Sequence, residues 1–292
     1  MTSPPQLAGA IVGAVRAYIR LAGLVKDRFG RDLPGLGWSA RRISRRGLLD
    51  VRGRRMVFEP KLAGAYGRLI AGDWNEQETH PFLCRMADAV ERGTFIDVGA
   101  SVGEMVIDLA THPNVSAVLA FEPNPDAVEI CRESVRLNGW SHVTVHELAL
   151  GAEESTAVLR VADHSPTGGR LVDREEGGPM VRVSTMDREA ASVTGPCLIL
   201  IDTEGWEAEV LRGASALIAR TRPLIVFEYN EVSRRHFHVN DIRQLLGDGY
   251  DIYRLRIDGA LDRRYDRAWN CVAIPAHGPF AAAAAPLIDS DD

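Results

Sequence analysis

From residue 94 onward, short apolar runs alternate with stretches of helical spacing. Phe95 to Val98 is an apolar run with one acid inside it, and reads as a buried parallel strand. A glycine turn, Gly99 to Gly103, follows it, and Glu104 to Ala110 then carries helical spacing. Val118 to Phe121 is the second strand and ends on Glu122. Asn124-Pro125-Asp126 opens the next helix, with Asn as cap, Pro in the first turn and Asp at the positive end. Asn138-Gly139 closes it. His142 to Leu150 reads as a third strand, Leu198 to Ile201 as a fully apolar central fourth, and Leu224 to Phe227 as a fifth. Helices are expected around Val210 to Ile218 and Ile242 to Leu246. Tyr250 to Leu255 and Cys271 to Ile274 form a closing pair, with no room for a long helical crossover, so they are expected to be antiparallel. The pattern predicts an α/β doubly wound sheet.

The flanks read differently. Residues 6–29 predict one helix, Leu48 to Glu59 a small hairpin around Gly53, and Trp74 to Ala89 a helix leading into the first strand. Thr156 to Val161 and Met180 to Ser184 alternate like strands inside a 151–196 insertion, around a loop rich in Gly and acids. The end of the chain, PFAAAAAPLIDSDD, is low in complexity and is expected to be disordered. The division expected is an N-terminal helix and basic extension over 1–71, a main domain over 72–276, and a tail over 277–292.

Composition narrows the class. The 292 residues are 46% hydrophobic and 25% charged, as in an ordinary soluble α/β protein. Four scattered cysteines make neither a disulfide framework nor a zinc site. No apolar run approaches a membrane span and no basic signal-peptide start is present, so a cytoplasmic location is expected. The charge is uneven. Residues 1–60 are at +8, against −6 for the whole chain, and Arg41, Arg42, Arg45, Arg46, Arg52, Arg54 and Arg55 crowd together. Such a face either meets an anionic partner, a membrane surface included, or pairs with the acidic body. No aromatic-interleaved basic motif accompanies it, so nucleic acid is not expected. This stretch precedes every site motif and is expected to be peripheral to cofactor binding.

Candidate chemistry gathers at strand ends. Glu122 stands where an acid takes the hydroxyls of an adenosine ribose, and Asp202 and Glu228 end the fourth and fifth strands, where open α/β sheets hold their ligands. The spacing Gly99 to Gly103 is not the G-x-G-x-x-G dinucleotide fingerprint. That argues against a nicotinamide-dependent oxidoreductase, which stays as one alternative. Asp202, Glu228 and Asn230 offer oxygens suited to magnesium, a reading not favoured, so no metal is assigned. His236 and His238 are alternative bases with an intrinsic pKa near neutrality.

The series DVGASVG, AFEPNPDAVEICRESVRLNG, LALG, LILIDTEGWEAEVLRGA and RPLIVFEYN resembles the FkbM family of S-adenosylmethionine-dependent methyltransferases, over residues 72–275. The resemblance implies a class I methyltransferase (Rossmann-like) fold with seven strands, the last antiparallel. It implies S-adenosylmethionine as cofactor and methyl transfer to a hydroxyl of a sugar, lipid or secondary metabolite, with a small-molecule or glycoconjugate acceptor as partner. Carried over by motif, Asp97, Gly99, Ala100 and Gly103 lie beside the methionine part of the cofactor, Glu122, Pro123 and Asn124 at the ribose, and Ala149 and Leu150 near the adenine. Asp202 and Glu204 are the catalytic candidates, within a motif that continues to Gly205 and Glu207. Asn138 matches the asparagine ending the second helix, and Gly168-Gly169 a glycine pair in the insertion. Gly72-Asp73-Trp74 resembles the approach segment, but Asn75 stands where an acid is usual. A cofactor-binding protein that has lost catalysis and serves as a partner or regulator is the first alternative, ahead of the oxidoreductase.

Overall fold

Each apolar run named above becomes a strand. The computed structural model describes residues 5–7, 9–29, 43, 45–162, 165–172 and 178–289. Helix α1 (Gly9–Phe29) and the hairpin of β1 (Gly47–Val51) and β2 (Arg54–Phe58) come first. Two short turns of tight helix, Pro60–Tyr66 and Leu69–Ala71, lead to α2 (Thr79–Asp88). Then follow β3 (Gly93–Val98), α3 (Glu104–Leu109), β4 (Val115–Glu122), α4 (Pro125–Asn138) and β5 (Val143–Glu147). The insertion supplies β6 (Ala149–Leu150), β7 (Ser155–Ala162), β8 (Ser165–Val172), β9 (Met180–Ser184) and α5 (Met186–Glu189). The rest is β10 (Cys197–Ile201), α6 (Glu207–Arg212), α7 (Ser215–Thr221), β11 (Leu224–Glu228), α8 (Val239–Leu246), β12 (Tyr250–Leu255), β13 (Leu261–Asp262), β14 (Asn270–Pro275) and α9 (Pro279–Ala284).

The main sheet runs β13-β12-β14-β11-β10-β3-β4-β5. Strands β5, β4, β3, β10 and β11 are mutually parallel, and β14 is antiparallel to both β11 and β12. Without β13 this is the seven-strand class I methyltransferase order, with the last strand reversed. The two-residue β13 adds an eighth strand at the edge. Strand order reverses between β3 and β10, with β4 and β5 added on one side and β11 on the other, which makes that junction the topological switch point where such sheets bind ligands. Strand residues alternate between two buried layers. Phe95, Leu198 and Leu200 share one with Phe82, Met105 and Val106, while Ile96, Ile199 and Ile201 share the other with Leu211, Leu217 and Ile242. Burial on both faces explains why these strands are apolar throughout.

Two expectations are corrected. The tail is not disordered over 279–289: α9 and a further turn, Ala285–Leu287, pack on the sheet through Phe280 and Ala284, and Ile288 bridges to Leu261. Alanine is the best helix former, so the run of alanines folds once Phe280 anchors it. Residues 290–292 lie outside the described residues. The third strand is split, because β5 belongs to the main sheet and β6 to a second, four-stranded sheet ordered β6-β9-β7-β8. The first sixty residues pack into the fold, although none of those described lines the cavity. Val51, Met56, Val57 and Phe58 of the hairpin are buried with Ile107 of α3 and Ile130 of α4, and Asn138 bonds both backbone groups of Arg55.

The arginines of this region pair with the body. Arg54 reaches Asp108 at 3.1 Å, and Arg46 pairs with Glu133 and, at 3.4 Å, with Glu129. Arg41 and Arg42 lie outside the described residues. Helix α1 rests on the same layer through Ile11, Val15 and Ile19. No described helix is long and apolar enough to cross a membrane.

Candidate active site

The glycine turn after β3 is shaped by close approach. Gly99 has φ +88, and a Cβ there would lie 1.8 Å from the carbonyl oxygen of Asp202. Only glycine lets the ends of β3 and β10 come this near. Gly103, at φ +90, stands against Cys131 of α4 in the same way, 2.7 Å from Sγ. Glu122 ties the turn to the next strand. One carboxylate oxygen accepts from the Ser101 amide at 2.9 Å and the other from the Asn124 amide at 2.8 Å. Burial pushes its pKa up to about 7, against the pull of those two amides.

Strand register sets four residues in one row. Phe121, Val98, Ile201 and Phe227 are successive partners across β4, β3, β10 and β11. The next residue on each strand is Glu122, Gly99, Asp202 and Glu228. Adjacent strands lie about 4.8 Å apart, so the row places Glu122 and Glu228 roughly 14 Å apart with Asp202 between them.

The loop after β10 is held by an acid of its own. One oxygen of the fully buried Glu207 accepts from the Thr203 amide and hydroxyl, both at 3.0 Å, and from the Gly205 amide at 3.2 Å. Glu207 thereby presents Asp202 and Glu204, the latter strained at φ 55. Burial, then the charge of Glu228 and of Glu76, Glu204 and Glu207, raises the pKa of Asp202 well above the carboxylate range. Burial and the same neighbours put Glu228 at about 8. Behind the turn lies Asp97, 2% exposed, with Oδ2 lacking any partner. Burial, then Glu76 and Glu122, raises its pKa to about 8.

Between these groups lies a cavity of about 560 Å³. Gly99, Glu122, Pro123, Ala149, Leu150, Asp202, Glu204 and Glu228 line it. Six other sequence candidates do not reach its wall. Asp97, Ala100 and Gly103 lie behind or under the turn. Asn124 caps α4 by accepting from the Asp126 amide. His238 caps α8 in a capping box with Asp241. His236 stands beside Gly205, outside the wall. The magnesium set is not assembled: Asn230 Oδ1 accepts from the amides of Val232 and Ser233, and its NH2 group, not its oxygen, faces Glu228. No group of three metal-ligating side chains occurs among the described residues. Gly168-Gly169 lies in β8.

Sequence reasoning missed the far wall. Arg68, Asn75 and Glu76 from the segment before α2, Glu104 at the head of α3, and the 58%-exposed Trp269 before β14 all line the cavity. The glycine-motif pattern carries no signal for them, because each is brought in by tertiary contact. The exception is Asn75, which the departure in the approach segment already marked.

Residues 97–253 match the family described as "Methyltransferase FkbM domain". The chain belongs to the FkbM methyltransferase family. The match covers more than half of the sequence and contains the whole row of strand ends. Among curated proteins, the hexuronic acid methyltransferase AglP of Haloferax volcanii is 29% identical over 146 residues, 48% of this chain and 58% of that protein. "Methyltransferase 1" of Beauveria bassiana is 23% identical over 141 residues, 40% of this chain and 57% of that one. The alignments thus span a little over half the length of either relative. Among solved structures, the FkbM methyltransferase of Methylobacillus flagellatus KT superposes with a TM-score of 0.44 at 20% identity, covering 73% of this chain and 53% of the other. M. jannaschii TYW2 in complex with AdoMet gives 0.42 at 15%, covering 83% and 87%. The FkbM assignment leaves the nicotinamide alternative without support.

Proposed function

We propose that this FkbM-family chain transfers a methyl group from S-adenosylmethionine to a hydroxyl of a small-molecule or glycoconjugate acceptor. The observation that carries the reading is the row Glu122, Gly99, Asp202, Glu228 along one cavity at the switch point of the sheet. The donor set fits this cofactor: a glycine cradle that a Cβ would fill, an acid in reach of a ribose, and a buried apolar wall of Phe121, Leu148 and Leu150 for a base. When bound, S-adenosylmethionine supplies a methyl already activated on sulfur.

What remains for the protein is positioning and one proton. Each oxygen of Glu122 has lone pairs left after its amide bond, so it can also accept from ribose hydroxyls. Asp202 takes the proton of the acceptor hydroxyl, with Glu204 next to it in the same loop. A carboxylate whose pKa is raised toward the working pH is a better base than an ordinary one. The name of one relative specifies a hexuronic acid, which makes sugars the first acceptor class to test.

Asp202→Asn is the test. Asn keeps the shape but cannot accept a proton. Affinity for S-adenosylmethionine is expected to stay near wild type while kcat falls by about 10²–10⁴. Turnover of an acceptor at the wild-type rate by this variant would remove Asp202 from the chemistry.

A further inference from the structure

The wall opposite the sheet includes residues of the 64–78 segment, and Asn75 fastens that segment to α3. Asn75 uses both of its side-chain donors and its oxygen. Its NH2 group donates to the Ala65 carbonyl at 2.9 Å and to Glu104 Oε2 at 2.6 Å, and its oxygen accepts from the Arg68 amide at 2.8 Å. Its own amide donates to Glu104 Oε1 at 2.7 Å. Gly67 makes room, since a Cβ there would sit 2.5 Å from Asn75 Oδ1.

Glu104 is in turn held from behind. His80 Nε2 lies 3.1 Å from its Oε1, and His80 Nδ1 lies 2.8 Å from Asp108. The ring of His80 stacks on Trp74, the residue before Asn75, with centroids 4.2 Å apart. On the other side of Asn75, Glu76 accepts from Asn270 of β14 at 2.9 Å. The segment is thus tied to the head of α3 and to β14 by two adjacent residues, Asn75 and Glu76.

We propose that Asn75 is a positioning residue for methyl transfer, latching residues 64–78 over the cavity through Glu104. The amide is essential to this geometry. An acid at 75 has no donor for Ala65 or for Glu104, and would set one carboxylate against another. The charged groups facing Glu104 are His80 of α2, Glu76 of the segment itself and Asp97 of β3. Two of those three are acids, so an added carboxylate is poorly compensated. The functional consequence rests on the cofactor reading above; the latch itself does not.

The test uses the full chain with S-adenosylhomocysteine as probe, and amide hydrogen exchange over residues 64–78 without ligand. Asn75→Asp is expected to bind the probe about tenfold more weakly, the scale of one lost charge-assisted hydrogen bond, and to exchange faster across the segment. Asn75→Asp combined with Glu104→Gln restores a donor–acceptor pair with the roles exchanged, and should recover affinity to within about threefold of wild type. Gly67→Ala, which displaces the Asn75 side chain instead of replacing it, should resemble Asn75→Asp and gain nothing from Glu104→Gln. A substitution that merely destabilised the fold would lower the unfolding midpoint and speed exchange across all elements alike, leaving the affinity of the folded protein unchanged. Wild-type affinity and exchange in Asn75→Asp, or a double variant no better than the single one, overturns the latch. Wild-type protein that fails to bind the probe overturns the cofactor reading, and the exchange measurement then decides the latch alone: faster exchange in Asn75→Asp upholds it, unchanged exchange overturns it.

Discussion

Replacing Asp97 by Asn should make the protein more stable at pH 8 and less stable at pH 4. Asp97 is 2% exposed and one of its oxygens has no partner. In the unfolded chain its carboxyl ionises near 3.8, whereas in the fold burial and the charges of Glu76 and Glu122 delay ionisation to about 8. Folding therefore binds a proton between these limits, and the native state loses stability as pH rises through them. Each pH step costs roughly 1.4 kcal/mol. The penalty is absent at pH 3.8, on the order of 3 kcal/mol at pH 6 and on the order of 5 kcal/mol at pH 8. Asn never ionises and avoids it. Against that, the buried NH2 group of Asn lacks a partner and costs roughly 1–3 kcal/mol at every pH. The two curves should cross near pH 5, about where the penalty equals the cost of the amide. At pH 8 the variant should gain about 2–4 kcal/mol, which for a chain of this size raises Tm by about 5 °C or more. Thermal and denaturant unfolding of both proteins from pH 4 to 8 gives the difference directly. Other titrating groups appear in both and largely cancel. A stability difference independent of pH would refute the reasoning, because it would mean that Asp97 titrates alike in the folded and unfolded chains.

Two further outcomes are expected. Glu122→Ala should weaken S-adenosylmethionine and its demethylated product alike, by about 1.5–3 kcal/mol for each ribose hydrogen bond lost, and unchanged calorimetric affinity in a folded variant would remove Glu122 from the site. A chain started at Lys61 should be insoluble or unfolded rather than a soluble binder, because it strips Met56, Val57 and Phe58 from Ile107 and Ile130; fully burying each such side chain is worth roughly 1.5–3 kcal/mol. A soluble, cooperative unfolding transition in that truncation would show that the hairpin is dispensable.

The strand ends were readable in the sequence because two independent patterns coincide there. An apolar run marks each parallel strand, and a single acid marks where it stops. Glu122, Asp202 and Glu228 followed from that alone, and the register then put them in one row. What could not be read depends on contacts between distant segments. His142 to Leu150 is one apolar-polar run, yet it serves two sheets, and nothing local marks the break at Leu148. The alanines after Phe280 look like low complexity until the sheet offers Phe280 a place. Asn75 differs from its expected acid by one atom type, and its meaning appears only beside Glu104, twenty-nine positions away. His238, one of the alternative bases, caps α8 instead, with Asp241 completing the capping box.

The split of the third strand also bears on engineering by cassette exchange. Ala149 and Leu150 line the cavity and at the same time form β6, pairing with Val183 and Ser184 of β9. The 151–196 insertion therefore cannot be traded between relatives as an independent module. A graft that keeps its own loops must still return a strand to the register of Ala149 with Val183 and Leu150 with Ser184. Otherwise the donor segment will be blamed for a defect that lies in the wall it was grafted onto.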